Sequence, residues 1–164
     1  MVVSLRPYQI DLTDRTRKQI TPVKFGGYGK RRVILQAGTG AGKGTMGASI
    51  TEKAYAKGSR VLLIADRRKL VHQFARDLKK FGVPHGVVMN GNSGNTSAQV
   101  VIASRDTLLA WIKNGRDIGQ FDLIIIDEAH GSLSAGYQWL LAKFPKAIVL
   151  GLTATPARGD GRRL

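Results

Sequence analysis

The stretches Arg32-Val-Ile-Leu-Gln36 and Ala37-Gly-Thr-Gly-Ala-Gly-Lys-Gly-Thr45 decide the fold, because an apolar run leads directly into a glycine-rich loop that ends in a lysine. The run predicts a strand, and a helix is predicted to begin at Gly42 or Lys43. Glycines let backbone N–H groups approach phosphate oxygens, and the positive N-terminal end of a helix attracts them. A tight turn with a solvent-facing lysine is the simpler alternative. We predict a phosphate site whose members are Gly38, Thr39, Gly40, Ala41, Gly42, Lys43, Gly44 and Thr45.

Position 44 departs from the usual pattern of such loops. A serine or threonine normally follows the lysine, and its hydroxyl binds the magnesium ion that accompanies a nucleoside triphosphate. Gly44 has no hydroxyl, and Thr45 lies about 100° further around the helix. We therefore expect Gly44 to weaken magnesium binding and slow hydrolysis, and we expect threonine at this position to raise any ATPase activity.

A second motif, Leu123-Ile-Ile-Ile-Asp-Glu-Ala-His130, places two carboxylates after an apolar run. At the end of a buried strand beside a phosphate loop, Asp127 can hold magnesium. Glu128 can then position or deprotonate an attacking water. On its own, the pair could simply end a strand with charge. Together with the phosphate loop it predicts catalytic roles for Asp127, Glu128 and Lys43, with Asp127 as the metal ligand.

Short apolar runs alternate with amphipathic stretches along the rest of the chain. Strands are predicted at residues 32–36, 60–65, 87–89, 99–103, 122–126 and 147–150. Helices are predicted at about residues 7–20, 42–58, 67–81 and 106–112, and loops at 21–30 and 90–96. This alternation predicts an α/β fold, with a mostly parallel central sheet flanked by helices on both faces.

Composition limits the class of protein. The 164 residues are enough for one domain with a core, and the 43% hydrophobic content is that of a globular protein. The chain has no cysteine, which excludes disulfides and thiolate metal sites and is consistent with the cytoplasm. No apolar run is long enough to span a membrane. Lys and Arg number 26 against 11 acidic residues, a net charge of +15 that favours nucleic acid as a partner.

The motifs, in this order, resemble those of superfamily 2 helicases and translocases of the DEAH type. The loop ending at Lys43 and the Asp127–His130 box are two of them. Four further segments carry the resemblance: Leu5-Arg-Pro-Tyr-Gln9, Ala65-Asp-Arg-Arg-Lys-Leu70, Val101-Ile-Ala-Ser-Arg-Asp-Thr107 and Thr153-Ala-Thr-Pro156. Each short segment is a weak signal, whereas the ordered set is highly specific and covers essentially the whole chain. The first segment makes DNA repair and restriction-type translocases the most similar members.

The resemblance implies that residues 1–164 form a single RecA-like P-loop domain that binds ATP and Mg²⁺. In the family this domain is the first half of a two-domain motor. It further implies that Gln9, supported by Arg6 and Tyr8, reads adenine. Arg67, Ser104 and Thr107 would contact a nucleic-acid backbone, DNA more than RNA. The residues expected to couple the two sites are His130, Thr153 and Thr155.

The second RecA-like domain of the family is expected to be absent from this sequence. That domain supplies arginines to the γ-phosphate, a contribution on the order of 10³–10⁵ in rate. We therefore expect the chain alone to bind nucleotide without unwinding nucleic acid.

Simpler interpretations remain for several residues. Gln9 could be an ordinary helix-face residue, Arg67 could belong to a solvated helix start, and His130 could be purely structural. For the whole chain, the main alternative is a non-catalytic nucleic-acid or partner-binding module derived from a helicase domain. A small kinase-like phosphate-loop enzyme explains less, because it leaves the Asp127–His130 box and the Thr153–Thr155 segment without a role.

Overall fold

The computed structural model describes residues 3–91, 94–129 and 134–155. Six parallel strands form one sheet in the order β1-β6-β5-β2-β4-β3. Their bounds are β1 Arg32–Gln36, β2 Val61–Ala65, β3 Gly86–Val88, β4 Val100–Ser104, β5 Leu123–Asp127 and β6 Ile148–Thr153. The predicted α/β class and parallel sheet are confirmed.

In the described part of the chain, one helix and a short 3-10 turn at Val23–Phe25 precede the first strand, and four further helices connect strands. The helices are α1 Pro7–Ile20, α2 Lys43–Ala56, α3 Arg68–Lys80, α4 Arg105–Lys113 and α5 Ala135–Ala142. Pro7 occupies the first position of α1, where its fixed φ suits a helix start and its missing N–H is not needed. The four predicted helices are confirmed to within two residues at most ends.

The helices cover both faces of the sheet. One core forms beneath α1, α2 and α3, through Leu12, Met46 and Phe74 among others. The other forms beneath α4 and α5, through Leu108 and Tyr137. The chain crosses from β1 to β2 and β3 on the first face and returns from β4 to β5 and β6 on the second. Since every strand is parallel, all their carboxyl ends meet at one edge, where ligands bind in such sheets.

Two sequence predictions needed correction. Strand β6 continues to Thr153, although residues 147–150 were predicted, because Gly151 lies inside the strand instead of ending it. Helix α5 was not predicted. Its sequence is apolar on most sides and carries Gly136 in its first turn, so it lacks a helical stripe. Among the described residues, none of the helices combines the length and apolarity that crossing a membrane requires.

Candidate functional site

The carboxyl edge of the sheet brings the predicted site residues into one row. In register, Gln36 lies beside Thr153, and Asp127 lies beside Leu152 on the next strand. Further along, Ala65 lies beside Ser104. The phosphate loop therefore follows β1, the predicted coupling segment ends β6, and the carboxylates end β5. The two predicted backbone-contact segments follow β2 and β4.

The phosphate loop is a wide turn between β1 and α2. Gly40 and Gly42 adopt φ of 79° and 78°, a conformation that L side chains rarely take. A Cβ added at Gly38 or Gly40 would meet open space, so there is free volume beside the phosphate loop at these two glycines. The Lys43 ammonium donates to the carbonyl oxygens of Ala37 at 3.3 Å and Gly38 at 3.5 Å. The predicted phosphate-binding lysine thus lies across its own loop.

The N-terminal segment packs against this loop. The Gln9 side-chain amide and the Tyr8 hydroxyl both donate to the Ala41 carbonyl, at 2.9 and 3.0 Å. The amide oxygen of Gln9 accepts from the backbone N–H of Arg6 at 2.9 Å. A Cβ on Gly42 would lie 2.5 Å from the Gln9 amide nitrogen, so glycine is needed here for space as well as for its backbone angle. The structure brings Arg6 and Gln9 to the loop. Their role in reading adenine stays a prediction.

The two carboxylates lie on the next part of the edge. Burial raises the pKa of the Asp127 carboxyl above its ordinary value. The negative charges of Glu128 and Asp66 also raise that pKa, whereas the Glu128 N–H and the Lys43 ammonium lower it. The N–H of Glu128 donates to the Asp127 carboxylate at 3.0 Å. Asp127 therefore lies within electrostatic reach of Lys43, as a shared phosphate and metal site requires.

Glu128 has a strained backbone. Its φ is +53°, and in the described part of the chain no other non-glycine residue has a positive φ. A left-handed conformation costs a side-chain-bearing residue about 1–2 kcal/mol, and such strain is concentrated at functional sites. The sharp turn redirects the chain directly after β5. The neighbouring residue Ala129 is buried and lies against β6, where a Cβ on Gly151 would approach the Ala129 Cβ to 2.6 Å.

The predicted coupling segment contacts the phosphate loop directly. The N–H of Ala37 donates to the carbonyl of Thr153 at 3.0 Å. The Thr153 side chain is fully buried, and its hydroxyl donates to the carbonyl of Thr155 at 2.7 Å while accepting the Thr155 N–H at 3.2 Å. These contacts join the end of β6 to the start of the loop. His130, the third predicted coupling residue, lies outside the described residues.

The predicted nucleic-acid residues lie at the far end of the edge. Arg67 is exposed at the start of α3, Ser104 is largely buried at the end of β4, and Thr107 is half-buried in the first turn of α4. Arg67 follows β2 and Ser104 ends the neighbouring strand β4, so the structure brings these two segments together. Their contact with a nucleic-acid backbone stays a prediction.

Comparison with known proteins identifies the family. The family model of the type III restriction enzyme, res subunit (ResIII), matches residues 2–158. The chain belongs to the ResIII family.

Curated relatives of this ResIII chain include helicases. It is 29% identical over 98% of its length to a putative ATP-dependent helicase, IRC3, of Saccharomyces cerevisiae. It is 26% identical, again over 98%, to the DNA 3'-5' translocase XPB2 of Sulfurisphaera tokodaii. A 51.5 kDa protein of a Lactococcus phage is 32% identical over 78% of the chain. The ResIII chain spans 24%, 33% and 25% of the length of these three relatives.

Solved structures with the same fold include helicases. The UvsW helicase of bacteriophage T4 matches with a TM-score of 0.71 at 17% identity, covering 94% of this chain and 54% of that one. The Hef helicase domain of Pyrococcus furiosus matches with a TM-score of 0.71 at 23% identity, covering 93% and 33%. The predicted RecA-like fold and the resemblance to superfamily 2 helicases are confirmed. The homologues of the ResIII chain therefore include helicases, in sequence and in fold.

One cluster of the ResIII site was missed by sequence reasoning. The Tyr137 hydroxyl of α5 donates to the Asp66 carboxylate at 2.7 Å, and Arg105 lies 3.6 Å from the same carboxylate. Burial, and then the hydrogen bond to Asp66, raise the pKa of Tyr137, so its hydroxyl stays a donor. The Arg105 guanidinium also lies over the Tyr137 ring at 5.5 Å. The cluster joins the segments after β2 and β4 beside Asp127. Its only signal in the sequence is the charge of Asp66 and Arg105 next to strand ends.

Proposed function

We propose that this chain is the ATP-binding motor domain of a nucleic-acid helicase or translocase that acts on DNA rather than RNA. The observation that carries the proposal is the row of residues at the carboxyl edge. Phosphate loop, carboxylates and backbone-contact candidates follow adjacent strands, so one edge can hold nucleotide at one end and nucleic acid at the other. The DNA preference is supported by the net charge of +15 and by the relative described as a DNA translocase.

The loop residues suit a triphosphate. Open space beside Gly38 and Gly40 leaves room for phosphate oxygens, and the start of α2 adds backbone N–H donors. Lys43 would exchange its carbonyl partners for phosphate oxygens by rotating its side chain. Gln9 and Arg6 would hold the adenine, since the Gln9 amide keeps one further N–H beside the loop.

The carboxylates suit a magnesium ion and an attacking water. The Lys43 ammonium lowers the pKa of the Asp127 carboxyl, so the two charges interact, and we assign Asp127 to the metal. Bound magnesium would neutralise charge on the phosphate oxygens. Glu128, held by the strained turn, would orient the water and accept its proton. Because Gly44 offers no hydroxyl, the metal would lack one protein ligand, and we propose slow turnover for the chain on its own.

The contact between β6 and the loop supports a coupling role. A shift of the loop around a γ-phosphate would move Thr153, because the Ala37 N–H is hydrogen-bonded to the Thr153 carbonyl. Thr155 would move in turn, because it is hydrogen-bonded to the Thr153 hydroxyl. We include His130 in this role from the family resemblance. A second RecA-like domain would complete the motor, supply arginines to the γ-phosphate and allow strand separation, which this chain alone would not perform.

Gly44 also favours a second function. A non-catalytic nucleic-acid or partner-binding module would tolerate loss of the magnesium hydroxyl. The two functions differ in what they require of Glu128: a motor needs its carboxylate for hydrolysis, whereas a binding module does not.

The test measures ATP binding and hydrolysis by the chain across magnesium concentrations, with and without DNA. Lys43→Ala is expected to abolish nucleotide binding. Glu128→Gln is expected to bind nucleotide normally and to lose residual hydrolysis, because the amide cannot accept the water proton. Normal hydrolysis by Glu128→Gln would contradict the catalytic assignment. Absence of nucleotide binding in the parent chain would favour the binding module.

A further inference from the structure

The outer face of α3 forms a basic groove away from the nucleotide end of the site. We name it the α3 groove, with a volume of about 590 Å³. It is lined by Lys69, His72, Ala75, Arg76, Lys79 and His85. The helix positions are spaced by three or four residues and so lie on one face. From Lys69 to Lys79 this face extends about 15 Å, at 1.5 Å per residue.

The groove lies in a strongly basic part of the chain. Between Asp66 and Asp106 the sequence contains one acidic residue, Asp77. Asp77 is buried on the side of α3 that faces α2, and its carboxylate pairs with Lys80 at 3.3 Å. The carboxylate is therefore directed away from the groove and its charge is already compensated.

The cations of the groove are available for a ligand. Within residues 3–91, 94–129 and 134–155, no ion pair involves Lys69, Arg76 or Lys79, and all three side chains are exposed. His85 is half-buried, and its Nδ1 donates to the Val83 carbonyl at 2.9 Å. That bond leaves Nε2 as the ring nitrogen that can contact a ligand.

We propose that the α3 groove binds the phosphodiester backbone of nucleic acid, as a continuation of the predicted contact at Arg67. Arg67 precedes α3 at the carboxyl edge, and the groove runs from that end down the side of the domain. A linear polyanion could therefore follow Arg67, Lys69, Arg76 and Lys79 in turn. The inference rests on the proposed nucleic-acid function and adds a side surface that holds the flanking part of the same strand or duplex.

The test compares two charge-matched double variants. Lys69→Gln with Lys79→Gln removes two charges from the groove. Lys57→Gln with Lys146→Gln removes two charges from exposed lysines outside the groove. Lys69 and Lys79 lie in α3, where glutamine has nearly the helix propensity of lysine. Lys57 and Lys146 are exposed and lie outside the helices, so both variants should fold. Binding of a labelled DNA duplex and of a labelled single strand is measured at salt concentrations from about 50 to about 200 mM.

The groove variant is expected to bind DNA at least about tenfold more weakly than the parent at roughly 0.1 M salt. The plot of log K against log salt concentration should become less steep, with a slope smaller in magnitude by about 1–2. The control should lose less than half as much. ATP binding should be equal in all three proteins. Equal losses in groove variant and control would overturn the groove while leaving the proposed function standing.

Two further results would also overturn the groove. If the parent chain binds no DNA at low salt, the nucleic-acid part of the proposed function fails with it. If polyglutamate of equal charge competes as well as DNA, the surface has no preference for phosphodiesters. A drop in salt slope confined to the groove variant, with DNA competing better than polyglutamate, supports the groove.

Discussion

The carboxylate of Asp77 lies 2.8 Å from the point where a Cβ on Gly44 would stand, and the Gln73 amide nitrogen lies 3.3 Å from that point. Asp77 is 6% exposed and has a short side chain, so it has little room to withdraw. Glycine at position 44 therefore does more than omit a magnesium ligand: it also makes space for the contact between α2 and α3. Any side chain restored at position 44 must displace its neighbours on α3.

The first prediction concerns this pair. Gly44→Thr should lower the free energy of unfolding by about 1–3 kcal/mol, because the new side chain overpacks against Asp77. In an Asp77→Ala background the same change should cost much less. Urea unfolding of the four proteins gives the coupling, expected at about 0.5–3 kcal/mol. Strict additivity of the two changes would contradict the contact. Any gain in magnesium-dependent ATPase activity from threonine should be larger in the double variant.

The second prediction concerns Tyr137. Tyr137→Phe removes the hydroxyl that donates to Asp66 and should destabilise the domain by about 1.5 kcal/mol. That value is the low end for hydrogen bonds to charged groups, because water reaches the partly exposed Asp66. Tyr28→Phe is the control, since Tyr28 is 55% exposed. Equal unfolding midpoints for the two variants would show that the hydrogen bond contributes nothing.

The third prediction concerns Asp127 and pH. A carboxyl whose pKa is raised in the folded state holds its proton longer than the unfolded chain does. Stability from this group is therefore greatest at low pH and falls as pH rises from the unfolded value, about 3.9, through the folded one. Asp127→Asn should be more stable than the parent near pH 7, and the difference should shrink as pH approaches 4.

The measurement is thermal unfolding of parent and variant across this pH range. Asp14→Asn is the control, since it removes one negative charge from an exposed position in a chain of net charge +15. If Asp127→Asn is less stable than the parent near neutral pH, the cost of burying the charged carboxylate does not outweigh its favourable interactions, and the prediction is wrong. The variant should lose magnesium-dependent nucleotide hydrolysis in either case.

The fourth prediction concerns the strained turn at Glu128. Glu128→Gly and Glu128→Ala both remove the carboxylate, but only glycine accepts φ of +53° without a steric cost. The glycine variant should be more stable than the alanine variant by about 1 kcal/mol, measured by urea unfolding. Neither should hydrolyse ATP. Equal stability would mean that the turn relaxes when the glutamate side chain is absent.

Sequence patterns were sufficient wherever local chemistry determines structure. The run before Asp127 predicted its strand, because buried parallel strands are continuously apolar. The run before Ala37 also predicted its strand, although β1 lies at the edge of the sheet and Leu35 is its one buried residue. The glycine spacing predicted the phosphate loop. The patterns failed where distant residues decide the outcome: Gly151 continues β6 because its missing side chain leaves room for Ala129. The cluster around Asp66 depends on α5, which has no amphipathic stripe to reveal it.

The position of β1 in the sheet has a consequence for local unfolding. In the described sheet β1 is an edge strand that pairs only with β6. The strand that leads into the phosphate loop is therefore hydrogen-bonded to the sheet on one side. Edge elements of this kind open more readily than core strands and exchange their amide hydrogens first. Amides of β1 and of Ala37 should therefore exchange faster than those of β2, which lies between two strands. A ligand bound by the phosphate loop would stabilise the folded form of β1 and so slow that exchange. The exchange rate of these amides would therefore report how much of the loop is occupied by ligand.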